Sequence, residues 1–315
     1  MADVLPMIRA ADAEAIADAA ALICSGRPVA VPTETVYGLA ADATSGEAVA
    51  AIYAAKGRPS FNPLIVHIAD MADAEQIADF GPLARMLAER FWPGPLTMVL
   101  PMATGSPIAS LVTAGLSTVA IRMPAHPVIR ALIMAAGKPL AAPSANASGT
   151  ISPTRAAHVA QSLAGRIPLV LDGGPTEIGL ESTIVAVEEG HLRLLREGPV
   201  TAEDLTTATG LPLLRSKDAK IEAPGQLSSH YAPAKPLRLN AVSGEPGEYL
   251  IGFGGVAGDV TLSAGADLRE AAARLFDLLH LADAAPEPRI AIAIVPEEDL
   301  GAAINDRLKR AAAPR

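Results

Sequence analysis

Apolar residues recur along this chain at two spacings, and the alternation between the two predicts its architecture. From Ala11 to Ile23 they fall at helical spacing, with Asp12 near the start and Gly26 just past the end, so a helix is predicted there. Pro28 to Val31 is a short apolar run of the kind that forms a buried strand. Helical spacing returns near Ser45–Tyr53, Asp73–Phe91, Pro127–Ala136 and Thr154–Leu163. Around these segments, "PLIVHIA", "PLTMVLP", "STVAIRMP", "KPLAAPSA" and "PLVLDGG" read as strands, and "STIVAVEEGHLRLLREG" as a hairpin turning at Glu189-Gly190. Strands interleaved with helices predict a mixed sheet, α/β or α+β.

The periodicity stops between about Leu211 and Pro236, where the chain is rich in Pro, Ser, Gly and charge. That is the best boundary in the sequence, and it divides the chain into a domain over 1–210, a linker over 211–236 and a second unit over 237–315. In the second unit "GEYLIGFGG" reads as a strand and turn, Asp267–Leu281 as an amphipathic helix, "RIAIAIVP" as a buried strand and "GAAINDRLKRAAA" as a closing helix. The result is a small β-α-β-α module.

Composition refines this picture. Half of the residues are hydrophobic but only 3% are aromatic, so the core is built from Ala, Val, Ile and Leu, with backbones in close approach. The formal net charge of -9 counts against a broad nucleic-acid-binding surface. Cys24, the single cysteine, sits in the apolar tail of a helical pattern and reads as a buried core thiol, which suits a reducing cytoplasm. The start is acidic and amphipathic, and no apolar run reaches the roughly 18 residues of a spanning helix, so neither export nor membrane insertion is expected. Gly137-Lys138 lacks the earlier Gly of a phosphate loop, and "GFGG" at 252–255 lacks the third Gly of a dinucleotide fingerprint. The six histidines are scattered without HExxH spacing, and no G-x-S-x-G elbow occurs.

Chemistry must therefore come from less familiar loops. "VPTETVYGLA" at 31–40 ends a buried strand in hydroxyls, which calls for a reason. In "KGRPSFNPLIVHI", Lys56 and Arg58 stand two apart before a Pro, so in extended backbone both cations point to one face. Such a pair suits a polyphosphate, although on spacing alone a solvated basic turn is the stronger reading. Asn62 before Pro63 is ordinary turn chemistry, and His67 in an apolar run is more often a satisfied core histidine than a ligand. "AAPSANASGTISPT" gathers Ser144, Asn146, Ser148, Thr150, Ser152 and Thr154 around Gly149, where backbone N–H groups and small hydroxyls can cradle phosphate oxygens. "GLESTIV" at 179–185 is a further hydroxyl cluster, Arg196 follows the hairpin, and "LSTVAIRMP" adds Thr118 with Arg122, a strand cation that must be paired or face a cleft. Recurrence of strand end, hydroxyl and cation in several loops shifts the reading to a site for an anionic nucleotide and a small polar substrate.

Taken together, "PTETVYGLA", "KGRPSFNPLIVHI", "WPGPLTMVLP", "VAIRMPAHP", "APSANASGTISPT", "GLESTIV" and "LREGPV" make the chain resemble the YrdC-like threonylcarbamoyl-AMP synthases. The K-x-R and S-x-N signature stands as Lys56-Gly57-Arg58 and Ser144-Ala145-Asn146. "SSHYAPAKPL", "IGFG" and "AINDRLKRAA" extend the likeness to the linker and C-terminal domain of the long, two-domain form, with the part after Pro236 looking short for that form. The resemblance implies a YrdC-like twisted mixed sheet flanked by helices and a small Rossmann-like C-terminal domain. It implies synthesis of L-threonylcarbamoyl-AMP and pyrophosphate from L-threonine, bicarbonate and ATP with Mg²⁺. The product would pass to a tRNA threonylcarbamoyl-transferase complex, the net charge counting against direct tRNA contact.

Carried over residue by residue, Thr35, His67, Arg122, Ala142 and Ser182 would hold threonine. Lys56, Arg58, Asn62, Thr118, Ser144, Asn146, Ser152 and Arg196 would hold ATP, with Lys56 and Arg58 offsetting charge in the reaction. Tyr231 would close the linker over the ATP side as a lid. Glu34 and Glu181, the acidic residues of these motifs, are read as structural. Two rivals remain beside this reading: a non-catalytic YrdC-type RNA-binding or ribosome-maturation module, disfavoured by the charge, and a carbamoyl-adenylate former of the hydrogenase-maturation type, disfavoured by the single cysteine.

Overall fold

Several helix starts in this chain are set by side chains that replace missing backbone partners. In the computed structural model, which describes residues 5–59, 61–215, 222–226 and 230–314, Asp12 caps Ala13–Cys24 by accepting the Ala15 N–H at 2.8 Å. Ser45, Asp70 and Asp267 cap Gly46–Lys56, Met71–Ile77 and Leu268–Ala284 in the same way. Gly57 and Gly137, both at φ 60°, close Gly46–Lys56 and Pro127–Ala136 in the left-handed conformation that glycine adopts without strain.

Among the described residues, eleven strands form one mixed sheet. Their order is Met7–Ala10, Leu169–Asp172, Val29–Val31, Gly38–Asp42, Leu140–Ala141, Ile65–His67, Thr118–Arg122, Leu96–Pro101, Thr183–Glu188, His191–Arg196 and Leu213–Arg215. The hairpin expected at Glu189-Gly190 is present, with Thr183–Glu188 antiparallel to His191–Arg196. Ala13–Cys24 packs with Pro127–Ala136 over one apolar layer, and Gly46–Lys56 and Pro82–Phe91 lie over a larger one. A second sheet, all parallel, runs Leu237–Ala241, Arg289–Ala293, Glu248–Gly252 and Val260–Thr261, with Leu268–Ala284 and Leu300–Ala311 packed together.

Several expectations need correction. The helix expected over Asp73–Phe91 is two, Met71–Ile77 and Pro82–Phe91, because Pro82 lacks the N–H to continue a helix and starts a new one at its first turn. The C-terminal module has strands at Leu237–Ala241 and Val260–Thr261 beyond the two expected. Cys24 is exposed rather than buried: it is the last helical residue, on the turn where Ala21 and Ser25 also face outward. Of the expected linker, 216–221 and 227–229 lie outside the described residues.

Candidate active site

Val29–Val31 ends at Pro32, and the turn that follows is held by a side chain. Thr33 Oγ1 donates to the Val36 carbonyl at 2.7 Å and accepts the N–H groups of Thr35 at 3.1 Å and Val36 at 3.2 Å. The hydroxyl thus does the work of a strand ladder that has stopped. Thr35 Oγ1 is left facing Arg122, whose Nη1 donates to it at 3.0 Å. The same guanidinium donates from Nη2 to Glu34 Oε1 at 2.5 Å and from Nε to the Gly94 carbonyl at 3.1 Å. Gly38 lies so close to the next loop that a Cβ there would come within 3.3 Å of Ala142 Cβ.

Arg122 is register partner of His67, so the parallel strands Ile65–His67 and Thr118–Arg122 finish side by side in two polar residues. Burial, and then the Arg122 charge, push the His67 pKa down to about 3, which makes it a neutral imidazole at pH 7. Its Nδ1 is buried with no hydrogen-bond partner among the described residues, and so is Glu34 Oε2. For Glu34, burial acts upward, but the Arg122 guanidinium outweighs it and holds the carboxyl below the usual carboxylate range. His67 is therefore buried as expected.

The opposite wall is cationic. Lys56, at the end of its helix, is buried with Nζ donating to the carbonyls of Ser144 and Asn146. Arg58 donates from Nη2 to the Pro63 carbonyl at 3.0 Å. Arg196 donates from Nε to the Ser182 carbonyl at 2.9 Å and from Nη2 to Ser182 Oγ at 3.1 Å. No carboxylate pairs with any of the three among the described residues. Burial drives the Lys56 pKa well below its ordinary value, with Arg58 adding to the effect, and brings Arg58 down to about 10. Buried cations held only by carbonyls and hydroxyls, without a carboxylate, are costly, and an added anion would offset that cost.

These walls enclose a cavity of about 50 Å³, room for a few waters rather than a nucleotide. Thr35, Arg58, His67, Arg122, Ala142, Ser144, Ser182, Arg196 and Tyr231 line it. Lys56, Asn146 and Ser152 stand behind the lining: Lys56 and Asn146 bond to Ser144, and Ser152 Oγ donates to Glu181. Asn62 offers its carbonyl to Arg58 while its side-chain amide is buried with no partner among the described residues. Thr118 is not brought to the cavity. It opens the strand that Arg122 closes, opposite Pro101, on the same strand face as Ala120.

The small volume has a visible cause. Ala223 of the linker is buried against Ile65, Val99, Ala120, Ile184 and Leu195, covering the face that runs from the cavity toward Thr118. Tyr231 adopts φ 64°, unusual for a residue with a Cβ, and its hydroxyl is buried without a partner among the described residues. Gly225 is what lets the strap lie so close: a Cβ there would be 2.9 Å from the Tyr231 hydroxyl and 3.0 Å from Arg196 Cδ. Reading the sequence missed the linker residues Pro224, Gly225 and His230 in this lining, and also Arg307, whose guanidinium bonds to the cavity-lining Glu181. Arg307 alone left a signal, a polar residue on the stripe that Ile304, Leu308 and Ala311 form at helical spacing.

Two family models match the chain, one described as "Telomere recombination" over residues 21–198 and one as "Threonylcarbamoyl-AMP synthase, C-terminal domain" over 200–313. A threonylcarbamoyl-AMP synthase of Bacillus subtilis is 44% identical over 95% of this chain and 93% of its own length. The chain belongs to the threonylcarbamoyl-AMP synthase family. Another member of that family, from Pyrococcus abyssi, is 41% identical over 94% of each chain. The crystal structure of P. abyssi Sua5 complexed with L-threonine matches with a TM-score of 0.88 at 37% identity, covering 98% of this chain and 97% of that one. The part after Pro236 is therefore not shortened relative to this family member, against expectation. The mixed sheet with flanking helices and the second parallel sheet are the architecture of the family. One strand crosses the boundary between the matched models: Leu213–Arg215 falls in the second but pairs with His191–Arg196 of the large sheet.

Proposed function

We propose that this chain joins L-threonine, bicarbonate and ATP into L-threonylcarbamoyl-AMP, releasing pyrophosphate. The observation that carries this reading is the two-sided cavity, with Lys56, Arg58 and Arg196 buried without carboxylates on one side and the neutral His67 with the Arg122–Glu34 pair on the other. The first side suits a triphosphate, and the second a small amino acid with a carboxylate and a hydroxyl. Arg122 takes the threonine carboxylate with its planar fork, Thr35, His67 and Ser182 take its polar groups, and Ala142 leaves room for its methyl. Lys56, Arg58, Asn62, Ser144, Asn146, Ser152 and Arg196 take the nucleotide, which extends toward Thr118 once the linker has moved off the Ile65–Ala120 face.

In this reaction bicarbonate takes a proton and loses water to give carbon dioxide, which the threonine amine takes up as a carbamate, releasing a proton. A carbamate oxygen attacks the α-phosphorus of ATP, and the bond to the β-phosphate oxygen breaks to release pyrophosphate. The attacking group is already an anion, so the residues act by positioning and by offsetting charge rather than as a general base. Lys56 and Arg58 face the charge that develops on the phosphates. Mg²⁺ arrives as part of the MgATP substrate. The phosphate oxygens of ATP would supply ligands to that ion, with water completing its shell. Tyr231 and the linker close over the site and keep water from the labile anhydride.

The product is the activated donor for a complex that transfers threonylcarbamoyl to tRNA, and the work is done in the cytoplasm. No helix among the described residues is long and apolar enough to cross a membrane. The domain division that accompanies this reading is 1–210, 211–236 and 237–315, the middle segment acting as the lid.

The test is pyrophosphate release from MgATP, with threonine and bicarbonate each left out in turn, and mass spectrometry of a quenched sample for the adenylate. Release is expected to need both, and Lys56→Ala to lower kcat on the order of a hundredfold or more. Release indifferent to threonine, or none beside salt-sensitive RNA binding, would replace this reading with that of an RNA-binding module.

A further inference from the structure

The last helix of the chain, Leu300–Ala311, sends one charged side chain all the way to the cavity wall. Arg307 is fully buried. Its Nε donates to Glu181 Oε2 at 2.9 Å, its Nη2 to the Glu181 carbonyl at 3.5 Å, and its Nη1 to Asp306 Oδ2 at 2.9 Å. The guanidinium carbon lies 5.4 Å from the centroid of the Tyr231 ring, within cation–π range. Burial works against the charge, but Tyr231, Glu181 and Asp306 around it more than offset that and raise the pKa above the ordinary arginine value.

Neither partner is incidental. Glu181 and Tyr231 both line the cavity, whereas Arg307 does not. The other oxygen of Glu181 accepts the Ser152 hydroxyl, and the helix that carries Arg307 also accepts the His230 N–H on its Arg310 carbonyl at 3.2 Å. The strap is tied on its other side by the Ala232 N–H donating to the Gly149 carbonyl at 2.9 Å. Tyr231 is thus held in a left-handed conformation that a residue with a Cβ keeps only where its surroundings enforce it.

We propose that Arg307 is a positioning residue for the nucleotide side of the reaction, acting through Glu181 and Tyr231. A staple between two domains needs no buried charge, since apolar packing of similar size holds as well or better. A planar fork does what packing cannot: it fixes one carboxylate and one aromatic ring in a set relation. That relation holds Glu181, with Ser152 behind it, and the Tyr231 ring in the lining of the cavity that receives ATP, and so makes the C-terminal module part of the active site rather than an appendage. The inference rests on the proposed synthase reaction.

The experiment compares full-length wild type, Arg307→Met and Arg307→Lys by melting temperature, by kcat and KM for ATP and for threonine, and by calorimetric binding of threonine. Arg307→Met keeps the volume and removes the fork. Its KM for ATP is expected to rise on the order of tenfold, with kcat falling as well, while threonine affinity moves less than about twofold. Arg307→Lys, which keeps the charge, is expected to recover melting temperature more fully than the ATP KM. Unchanged kinetics in a folded Met variant, or equal losses in both substrates that follow the folded fraction, would overturn the proposal. If Arg307→Met does not fold, the Lys variant decides: a raised ATP KM at wild-type melting temperature supports it, and a wild-type KM overturns it. Wild type that makes no adenylate would refute the synthase reading itself, an outcome distinct from an active wild type with an indifferent Arg307.

Discussion

Two buried arginine–glutamate pairs stand on either side of the cavity, and they are wired differently. Arg122 and Glu34 both belong to the large-sheet domain, and one glutamate oxygen, Oε2, is buried with no partner. Arg307 and Glu181 join the last helix to that domain, and both glutamate oxygens are taken, one by Arg307 and one by Ser152. A buried oxygen without a hydrogen bond costs about 1–3 kcal/mol, so such an atom calls for an explanation. The Arg122–Glu34 pair keeps one acceptor oxygen with no partner among the described residues, whereas the Arg307–Glu181 pair has both glutamate oxygens engaged.

The sharpest way to break the comparison is Arg122→Ala, which leaves the Glu34 carboxylate buried and unpaired. Stability is expected to fall by about 3–5 kcal/mol, with threonine binding lost, as read by denaturant unfolding and calorimetry. Arg122→Met with Glu34→Met removes both charges and should recover most of the stability without recovering threonine binding.

Acid is the next largest perturbation. The folded pKa values of His67, about 3, and His158, about 4, both lie below the ordinary histidine value because of burial. The unfolded chain takes up these protons first as pH falls, so stability is full above about pH 6.5 and declines from there toward pH 4 and below. For His67 alone the loss at pH 5 is about 2 kcal/mol. Urea unfolding at pH 7.5, 6 and 5 reads the slope, and a His67→Gln variant should flatten it.

The smallest effect is expected from Tyr231→Phe. Its hydroxyl has no partner in the closed cavity, so the melting temperature should hold or rise slightly, while the KM for ATP rises a few-fold if the hydroxyl meets the nucleotide. An unchanged KM would leave the ring alone as the functional part of the lid.

What the sequence disclosed follows from the range over which each feature is decided. Caps and turns are local, so Asp12, Asp267 and the Glu189-Gly190 hairpin could be placed from neighbouring residues. Gly38–Asp42 could not: "GLAAD" is small and buried on both faces, so it shows no alternation. The hydroxyl-rich loops announced a site because clustered hydroxyls after strands are unusual. The partners Glu34 for Arg122 and Glu181 for Arg307 lie 88 and 126 residues away in sequence, and only the folded sheet brings them together. The linker was legible as a break in periodicity, but not as a cover, since Gly225 and Ala223 gain their meaning from the Arg196 and Ile65 surfaces beneath them.

The central claim is that one cavity holds threonine on the Arg122–Glu34 side and the triphosphate on the Lys56–Arg58–Arg196 side. Calorimetric titration of Arg122→Lys and Arg58→Ala with L-threonine and, separately, with a non-hydrolysable ATP analogue and Mg²⁺ tests it directly. Arg122→Lys should lose threonine and keep the nucleotide, and Arg58→Ala the reverse. Loss of both ligands in both folded variants, or the opposite assignment, would contradict the account.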